Sequence, residues 1–379
     1  ELNDNLKELV SRMKRMAYRP GPVRQVLIPK EDKPGAVRPL GISNFEDKLV
    51  QKMVHKVLES IYEPLFLDCS YGFRPGRGCH DAIRALLDHL FRYEVQTIID
   101  VDVANFFGTI DPPLLLKMLS AKISDPRFLR YLARMFKSGV LVEGELRVSD
   151  EGVPQGSNCS PILANIFAHH VIDTWFEETV KPHCAGRVAL FRYCDDLVIC
   201  CQYEQDAARI HKALAGRLAK YHLTLNEEKT KLVPFSKRAQ QDGRRARAFD
   251  FLGFTFYWGR SRRGAVVPKV KTSGARLRKK LKRVNAWARA LRNRQRLPEL
   301  WETFCAKLRG HIQYYGVSYN QVAVRTFVLK ATRHLFKWLN RRSQRKSFSW
   351  ERFERFVQSH PLPAVRVYHS LLPSQWARE

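Results

Sequence analysis

LFRYCDDLVICC, residues 190–201, is the most informative stretch of the chain, because two adjacent acids interrupt a run of β-forming apolar residues. This pattern predicts two strands joined by a tight turn, with Asp195 and Asp196 projecting from the end of the hairpin. Burying two neighbouring carboxylates without counter-ions is costly, so the pair requires either solvent or bound cations. An ordinary surface turn is the competing interpretation of these two residues alone.

A second stretch, QTIIDVDVANFF at residues 96–107, supplies further acids within an apolar segment. Its alternation predicts a strand on which Asp100 and Asp102 share one face, so periodicity does not choose between them. Phe106 and Phe107 would point to opposite sides of the same predicted strand, one buried and the other turned toward a site.

Carboxylates gathered at one point suit divalent metal chemistry, because hard oxygen ligands are those that Mg²⁺ prefers. Nucleotidyl transfer uses two such ions about 3.5–4 Å apart, one at the attacking hydroxyl and one at the leaving pyrophosphate. The expected cofactor is therefore a pair of Mg²⁺ ions, with Mn²⁺ as a substitute.

The charge of the chain indicates a polyanionic partner, since 66 Lys and Arg against 37 Asp and Glu leave a net charge of +29. A basic solubilising surface and membrane phospholipid are weaker alternatives. Basic runs concentrate in residues 236–346, and RLRKKLKR at residues 276–283 contributes the nucleic-acid-binding candidates Arg278, Lys279, Lys280, Lys282 and Arg283.

Several classes of protein are disfavoured by composition. The eight cysteines include no C-x-x-C pair, so neither a zinc knuckle nor a disulfide framework is expected. No segment approaches the roughly 18 apolar residues of a membrane span, and no signal-peptide pattern opens the chain, so a cytoplasmic protein is expected. The length of 379 residues predicts two or three subdomains, and an opening Glu leaves open whether the chain is a fragment.

The pattern of apolar residues changes along the chain. Upstream, strands alternate with helical patterns such as DAARIHKALAGRLAKYH at residues 206–222, which predicts an α+β domain. A boundary is expected near 236–270. Downstream, apolar residues recur at helical spacing among Arg and Lys, which predicts a basic helical bundle around Leu277, Leu281, Val284, Trp287, Leu291, Phe327, Ala331, Leu335 and Trp338.

From about residue 18 to 340, the chain resembles the reverse transcriptases encoded by bacterial group II introns. The matching motifs occur in the order found in that family: VRQVLIPKEDKPGAVRPLGI (23–42), SYGFRPGRGCHDAI (70–83), VDVANFFGTID (101–111), EGVPQGSNCSPILANIF (151–167), FRYCDDLVI (191–199), LNEEKTKLV (225–233) and FDFLGFTF (249–256). The resemblance implies a right-hand polymerase, with fingers at 1–95, palm at 96–268 and a basic helical thumb, or maturase-like region, at 269–379.

The resemblance also implies site residues. It selects Asp102 over Asp100 as the third catalytic acid and gives the metal-binding set Asp102, Val103, Asp195 and Asp196. Lys30 and Arg38 match finger cations that hold the incoming triphosphate, and Gln155 matches a residue beside the nucleotide sugar. Lys229 matches a palm lysine near the triphosphate. Phe107 falls at the position of a steric gate that excludes a ribose 2′-hydroxyl.

The chain departs from the family pattern at several positions. The usual FFD ends in Gly108, YADD is YCDD, PQGG is PQGS, and LRGW is LRGH with His311, which leaves the exact intron-binding surface in doubt. No H-N-H nuclease pattern or zinc-ligand cluster follows the thumb, so no target-nicking activity is expected.

Three functions remain as hypotheses. The first is an RNA-directed DNA polymerase that uses an RNA template, a DNA or RNA primer, dNTPs and a cognate structured RNA. It would serve intron mobility or a recruited task such as CRISPR spacer acquisition, antiviral defence or diversity generation. The second is a splicing maturase that binds RNA without polymerising, which would not need the three acids. The third is an RNA-dependent RNA polymerase, against which Phe107 argues.

Overall fold

Helices and strands alternate over most of the chain in the computed structural model, which describes residues 2–29, 35, 37–138, 140–142, 145–147, 157–243, 246–342 and 349–371. The chain divides into two compact units, one made of residues 1–82 and 96–232 and the other of residues 83–95 and 233–379. This division falls just before the boundary expected at 236–270. The further division into fingers, palm and thumb remains a proposal.

The elements up to residue 147 are α1 (Leu2–Lys14), β1 (Val23–Pro29), β2 (Val37–Ile42), α2 (Phe45–Tyr62), α3 (Cys79–Arg92), β3 (Thr97–Ala104), α4 (Phe106–Thr109), α5 (Pro112–Ser120), α6 (Pro126–Phe136), β4 (Val140–Val142) and β5 (Glu145–Arg147). Those up to residue 234 are α7 (Ser160–Ala168), two π-helical turns (His169–Asp173 and Phe176–Val180), β6 (Val188–Tyr193), β7 (Asp196–Cys201), α8 (Glu204–Ala219), β8 (Thr224–Leu225) and β9 (Lys231–Pro234).

The central sheet has the order β6-β7-β3-β8, and β9 also pairs with β3. The pairs β6–β7, β3–β7 and β3–β8 are antiparallel. Helical residues cover the sheet and join its apolar side chains in one core, including Leu115, Leu132, Leu163, Phe167, Ile199 and Leu214. The two acidic stretches of the sequence therefore become neighbouring strands of one buried sheet. A second sheet, of order β2-β1-β4-β5, contains the hairpin at residues 23–42.

The strand predicted over residues 96–107 ends early, at Ala104. Asn105 has a left-handed backbone with φ 46° and ψ 41°, and the short helix α4 starts at Phe106. Asn adopts this conformation more readily than other residues with a Cβ, so it breaks the strand at low cost. The prediction that Phe106 and Phe107 lie on a strand is therefore wrong.

The elements after residue 234 are α9 (Lys237–Gln241), β10 (Phe249–Phe251), β11 (Phe254–Arg260), β12 (Val266–Thr272), α10 (Gly274–Leu291), α11 (Leu297–Tyr315), α12 (Gln321–Leu339) and α13 (Trp350–Ser359). Strands β10, β11 and β12 form an antiparallel sheet. The predicted apolar stripes fall on α10 and α12, where Val284, Phe327, Ala331 and Leu335 are buried. The helical bundle predicted downstream is confirmed.

The second unit also contains His311, which lies on α11 and is only 1% exposed. Its ring stacks on Phe327 with centroids 3.6 Å apart. The residue that departs from the LRGW pattern is thus part of the core and not part of a binding surface. Within the described residues, no helix is long and apolar enough to cross a membrane.

Candidate active site

The hairpin formed by β6 and β7 presents the paired acids. Tyr193 pairs with Asp196, so Cys194 and Asp195 form a two-residue turn. Cys194 has a φ of 61°, a conformation that usually requires glycine. Burial, reinforced by the charge of Asp195, raises the pKa of the Cys194 thiol to about 12, so this sulfur remains protonated at neutral pH and is a poor metal ligand.

Strand pairing places Asp102 at the same end of the sheet. Asp102 lies directly opposite Asp196, whereas Asp100 lies opposite Val198. Two residues of strand separate Asp100 from this position, a distance of about 7 Å. The sheet therefore brings together Asp102, Asp195 and Asp196, the three acids implied by the resemblance.

A turn from the LNEEKT motif packs against Asp102. The main-chain N–H of Asn226 donates to the carbonyl oxygen of Asp102 at 2.8 Å, and the Asp102 N–H donates to Thr230 Oγ1 at 3.2 Å. These bonds bring Lys229 Nζ to 3.0 and 3.2 Å from the two carboxylate oxygens of Asp102. Both side chains are partly exposed, so the pair lies at an accessible edge of the sheet.

The donor set can be compared with the requirements of Mg²⁺. Three carboxylates at one sheet end are suitable oxygen ligands, and the ammonium of Lys229 shows that a cation fits beside Asp102. Val103 is an apolar residue, 6% exposed, so only its main-chain carbonyl oxygen offers a ligand. Within the described residues, no three acidic, His or Cys side chains are oriented as a complete ligand set. A metal ion bound by all three acids would therefore need their side chains to adopt other orientations, and it would compete with Lys229 for the Asp102 carboxylate.

The aromatic pair after β3 lies on α4. Phe106 is 2% exposed, whereas Phe107 is only partly buried, and the two rings meet edge to face with centroids 5.9 Å apart. One ring is therefore more accessible than the other, as expected, but a helical turn and not strand alternation separates them. A Cβ added at Gly108 would lie 2.4 Å from Asn105 Nδ2, so the missing acid of FFD leaves room for the Asn105 side chain.

The other predicted site residues are less completely described. Lys30 and Gln155 lie outside the described residues, and so does the side chain of Arg38, whose backbone pairs with Ile28. On α10, the cations Arg278, Lys282 and Arg283 are exposed, and Lys279 is partly exposed. Lys280 differs, because its Nζ lies 5.4 Å from the ring centroid of Tyr315 and burial lowers its pKa.

Sequence reasoning missed a group of buried polar residues beneath the hairpin. Arg192 and Asp173 are both fully buried and form an ion pair, with Nη2 and Oδ2 2.5 Å apart. The signal was visible in the strand VALFRY, where an arginine stands among apolar residues. Its partner could not be read from the sequence, because Asp173 lies in a π-helical turn after α7.

The profile of the family "Reverse transcriptase (RNA-dependent DNA polymerase)" matches residues 28–256. This segment includes Asp102, Asp195, Asp196 and the turn that bears Lys229. The chain belongs to the reverse transcriptase family. The strands that hold the acids are thus part of the segment that defines the family.

Relatives of this reverse transcriptase include intron-encoded proteins. The "Uncharacterized 91 kDa protein in cob intron" of Schizosaccharomyces pombe is 39% identical over 178 residues, which are 47% of this chain and 21% of that protein. The "Group II intron-encoded protein LtrA" of Lactococcus lactis subsp. cremoris is 36% identical over 168 residues, 44% of this chain and 28% of that protein. The predicted resemblance to the group II intron type is confirmed, although the chain spans less than a third of either relative.

Among solved structures, apo telomerase from Candida tropicalis is similar in fold, with a TM-score of 0.51 and 14% identity. The superposition covers 89% of this chain and 60% of the telomerase chain. At this identity the likeness concerns the fold alone. It confirms the predicted right-hand polymerase architecture.

Proposed function

We propose that the chain is an RNA-directed DNA polymerase that copies an RNA template into cDNA from a DNA or RNA primer. The observation that carries the proposal is the pairing of Asp102 with Asp196 at the sheet end where Asp195 forms the hairpin turn. This pairing supports the proposal because it puts the backbone positions of three acidic residues at one end of the sheet, inside the segment matched by the reverse transcriptase family.

The site residues divide into groups with different tasks in the proposed reaction. Asp102, Asp195, Asp196 and the carbonyl of Val103 would hold two Mg²⁺ ions, which when bound activate the primer hydroxyl and stabilise the leaving pyrophosphate. Lys229 adds positive charge beside Asp102 and would stabilise the departing phosphates. From the resemblance, Lys30 and Arg38 would bind the triphosphate of the dNTP, and Gln155 would lie against its sugar.

Primer extension on an RNA template with Mg²⁺ and dNTPs tests the proposal. Replacing Asp102 or Asp195 with Asn should reduce extension by several orders of magnitude and leave template-primer affinity within about twofold, because these acids hold metals and do not contact RNA. Asp100→Asn is the matched control, since Asp100 shares the face of β3 but lies opposite Val198. Extension that persists in the Asp102 and Asp195 variants, or that fails only in the Asp100 variant, would contradict the site assignment.

A second role, binding of structured RNA as a splicing maturase, is favoured by the relative named as a group II intron-encoded protein and by the exposed cations of α10. This role needs cations but no carboxylates. If it operates, the Asp195→Asn variant should still promote splicing of the cognate intron while it synthesises no DNA. A variant that loses both activities without unfolding would argue against a separate maturase role.

A further inference from the structure

A fully buried guanidinium lies directly beneath the catalytic turn. Arg192 precedes Cys194 by two residues, and its side chain has no exposed surface. Nε and Nη2 donate to the two carboxylate oxygens of Asp173 at 2.7 and 2.5 Å, which is a bidentate pair. Nη1 donates to the carbonyl oxygen of Cys194 at 3.1 Å and to Asn165 Oδ1 at 3.2 Å, and Nη2 also donates to Ser70 Oγ at 2.7 Å. All five donors of the guanidinium thus have acceptors.

The partners of Arg192 come from two distant parts of the chain, the helical segment at residues 160–173 and the loop that contains Ser70. Asp173 ends the π-helical turn His169–Asp173, a local widening of the helix after α7 of a kind often found at functional sites. Ser70 belongs to the SYGFRPG loop, and Asn165 belongs to α7. Burial by itself would lower the pKa of Arg192, but the Asp173 carboxylate more than compensates and raises it, so the guanidinium remains charged.

The same elements also hold the backbone around the turn. The Arg192 N–H donates to the carbonyl of Cys69 at 2.8 Å, and its carbonyl accepts from the N–H of Tyr71 at 2.9 Å. Asn165 Nδ2 donates to the carbonyl of Gly72 at 2.6 Å. A Cβ at Gly72 would lie 2.6 Å from the main-chain nitrogen of Cys194, so only glycine allows the loop to approach the turn this closely.

Stability alone does not explain this arrangement. A buried ion pair loses about as much by desolvation as it gains by attraction, and apolar residues of similar volume often serve a fold equally well. A bidentate arginine, in contrast, fixes both the distance and the orientation of its partners. Here it binds the carbonyl of Cys194, the residue in the strained left-handed conformation that directly precedes Asp195. The hydrogen bond from Arg192 to the Cys194 carbonyl thus restricts the backbone conformation of the turn.

We propose that Arg192 and Asp173 are positioning residues that set the orientation of the Asp195 and Asp196 carboxylates for metal binding. The inference rests on the proposed polymerase function. Both side chains are fully buried, so neither is accessible to substrate. Both act through the Cys194 carbonyl, so their loss should change how tightly the turn binds a divalent cation and leave RNA binding unchanged.

Two substitutions separate the geometry of the pair from its charge. Arg192→Lys keeps the positive charge but lacks the planar fork, and Asp173→Asn keeps the shape but removes the negative charge. Both should raise the Mg²⁺ concentration for half-maximal extension about tenfold, the lower end of the effect of removing groups that orient metal ligands. Template-primer affinity should stay within about twofold.

Mn²⁺ binding followed by electron paramagnetic resonance provides a readout without turnover. Both variants should bind Mn²⁺ more weakly than the wild type. Asp195→Asn, which removes a proposed metal ligand, is the reference variant and should weaken Mn²⁺ binding in the same sense. Asn320→Ala is the stability control, since Asn320 is 1% exposed and bonds to Thr272 and the carbonyl of Tyr315 in the second unit. It should lower the melting temperature without changing Mn²⁺ affinity.

If either charged-pair variant fails to fold, Ser70→Ala removes a single bond to Arg192 and leaves no unpaired charge. A two- to threefold weaker Mn²⁺ affinity in this variant supports the proposal. Unchanged Mn²⁺ affinity in folded Arg192→Lys, Asp173→Asn or Ser70→Ala protein overturns it. A wild-type chain that binds Mn²⁺ through Asp195 but makes no DNA would contradict the polymerase function and leave the positioning role intact.

Discussion

Phe107 is the residue on which the choice of sugar depends in the proposed reaction. Its ring is partly buried on α4, three residues after the end of β3, whereas the Phe106 ring is enclosed in the core. A ring held in place by packing yields little to an added oxygen, so a clash with a ribose 2′-hydroxyl gives discrimination that attraction alone does not.

Replacing Phe107 with Ala or Val should increase the incorporation of rNTPs relative to dNTPs and retain part of the DNA synthesis. Single-nucleotide extension with matched dNTP and rNTP measures the ratio. Phe106→Ala is the control, and it should cost about 3–5 kcal/mol of stability without changing sugar preference, because it leaves a core cavity. Wild-type preference in the Phe107 variants would disprove the gate, and a wild-type chain that polymerises rNTPs as readily as dNTPs would favour the RNA polymerase hypothesis.

At the scale of elements, α10 carries a basic surface whose members are not equivalent. Arg278 and Lys282 are exposed and lie one turn apart, a spacing that would allow both to contact one phosphate backbone. Lys280 instead lies against Tyr315, so the structure favours a packing role for this cation. The helix thus combines a face of solvated charge with a face that contributes to the core of the second unit.

The double substitution Arg278→Glu and Lys282→Glu should weaken binding of unrelated RNA sequences by similar factors, because contacts to phosphate carry no sequence information. It should also reduce the salt dependence of affinity, which for single strands has a slope of about −0.7 per phosphate neutralised. Filter binding of template-primer across a salt series measures both quantities.

Arg130→Glu with Lys212→Glu makes the same charge change at exposed positions on α6 and α8. Equal losses of affinity in the two double variants would show that the net charge of +29, and not α10, is responsible.

At the scale of the whole molecule, His311 links stability to pH. Burial, and secondarily the charge of Lys280, lowers its pKa to about 3, and neither ring nitrogen has a hydrogen-bond partner among the described residues. The folded chain therefore keeps this imidazole neutral at pH values where the unfolded chain takes up a proton. Its contribution to stability is complete above the unfolded pKa near 6.5 and is lost progressively as the pH falls toward 3.

Between pH 7.5 and pH 5, the wild type should lose about 1–2 kcal/mol more stability than His311→Phe, which has no proton to bind. Urea unfolding at both pH values measures the difference. His360→Gln, at an exposed position on the same unit, should behave as the wild type does. Parallel pH profiles for the wild type and His311→Phe would show that His311 is not held neutral in the fold.

Local pattern in the chain is sufficient to recognise the hairpin with its paired acids, the strand that carries Asp102, and the helical stripes of α10 and α12. These features depend on side-chain alternation and on turn residues, which act over a few positions. The order of the motifs adds the polymerase class. Periodicity does not distinguish Asp100 from Asp102, because it predicts which face of a strand a side chain lies on and not which residue of the neighbouring strand lies opposite.

The folded chain adds the features that depend on distant partners. Register with β7 places Asp102 opposite Asp196, and the LNEEKT turn brings Lys229 to the same carboxylate across more than a hundred residues. The buried pair of Arg192 and Asp173 could not be anticipated, since a charge in an apolar strand shows that it needs a partner without showing which one. Local sequence determines the backbone conformation and the face of the element on which each side chain lies. The partner of a buried charge depends instead on which distant segments pack together in the tertiary structure.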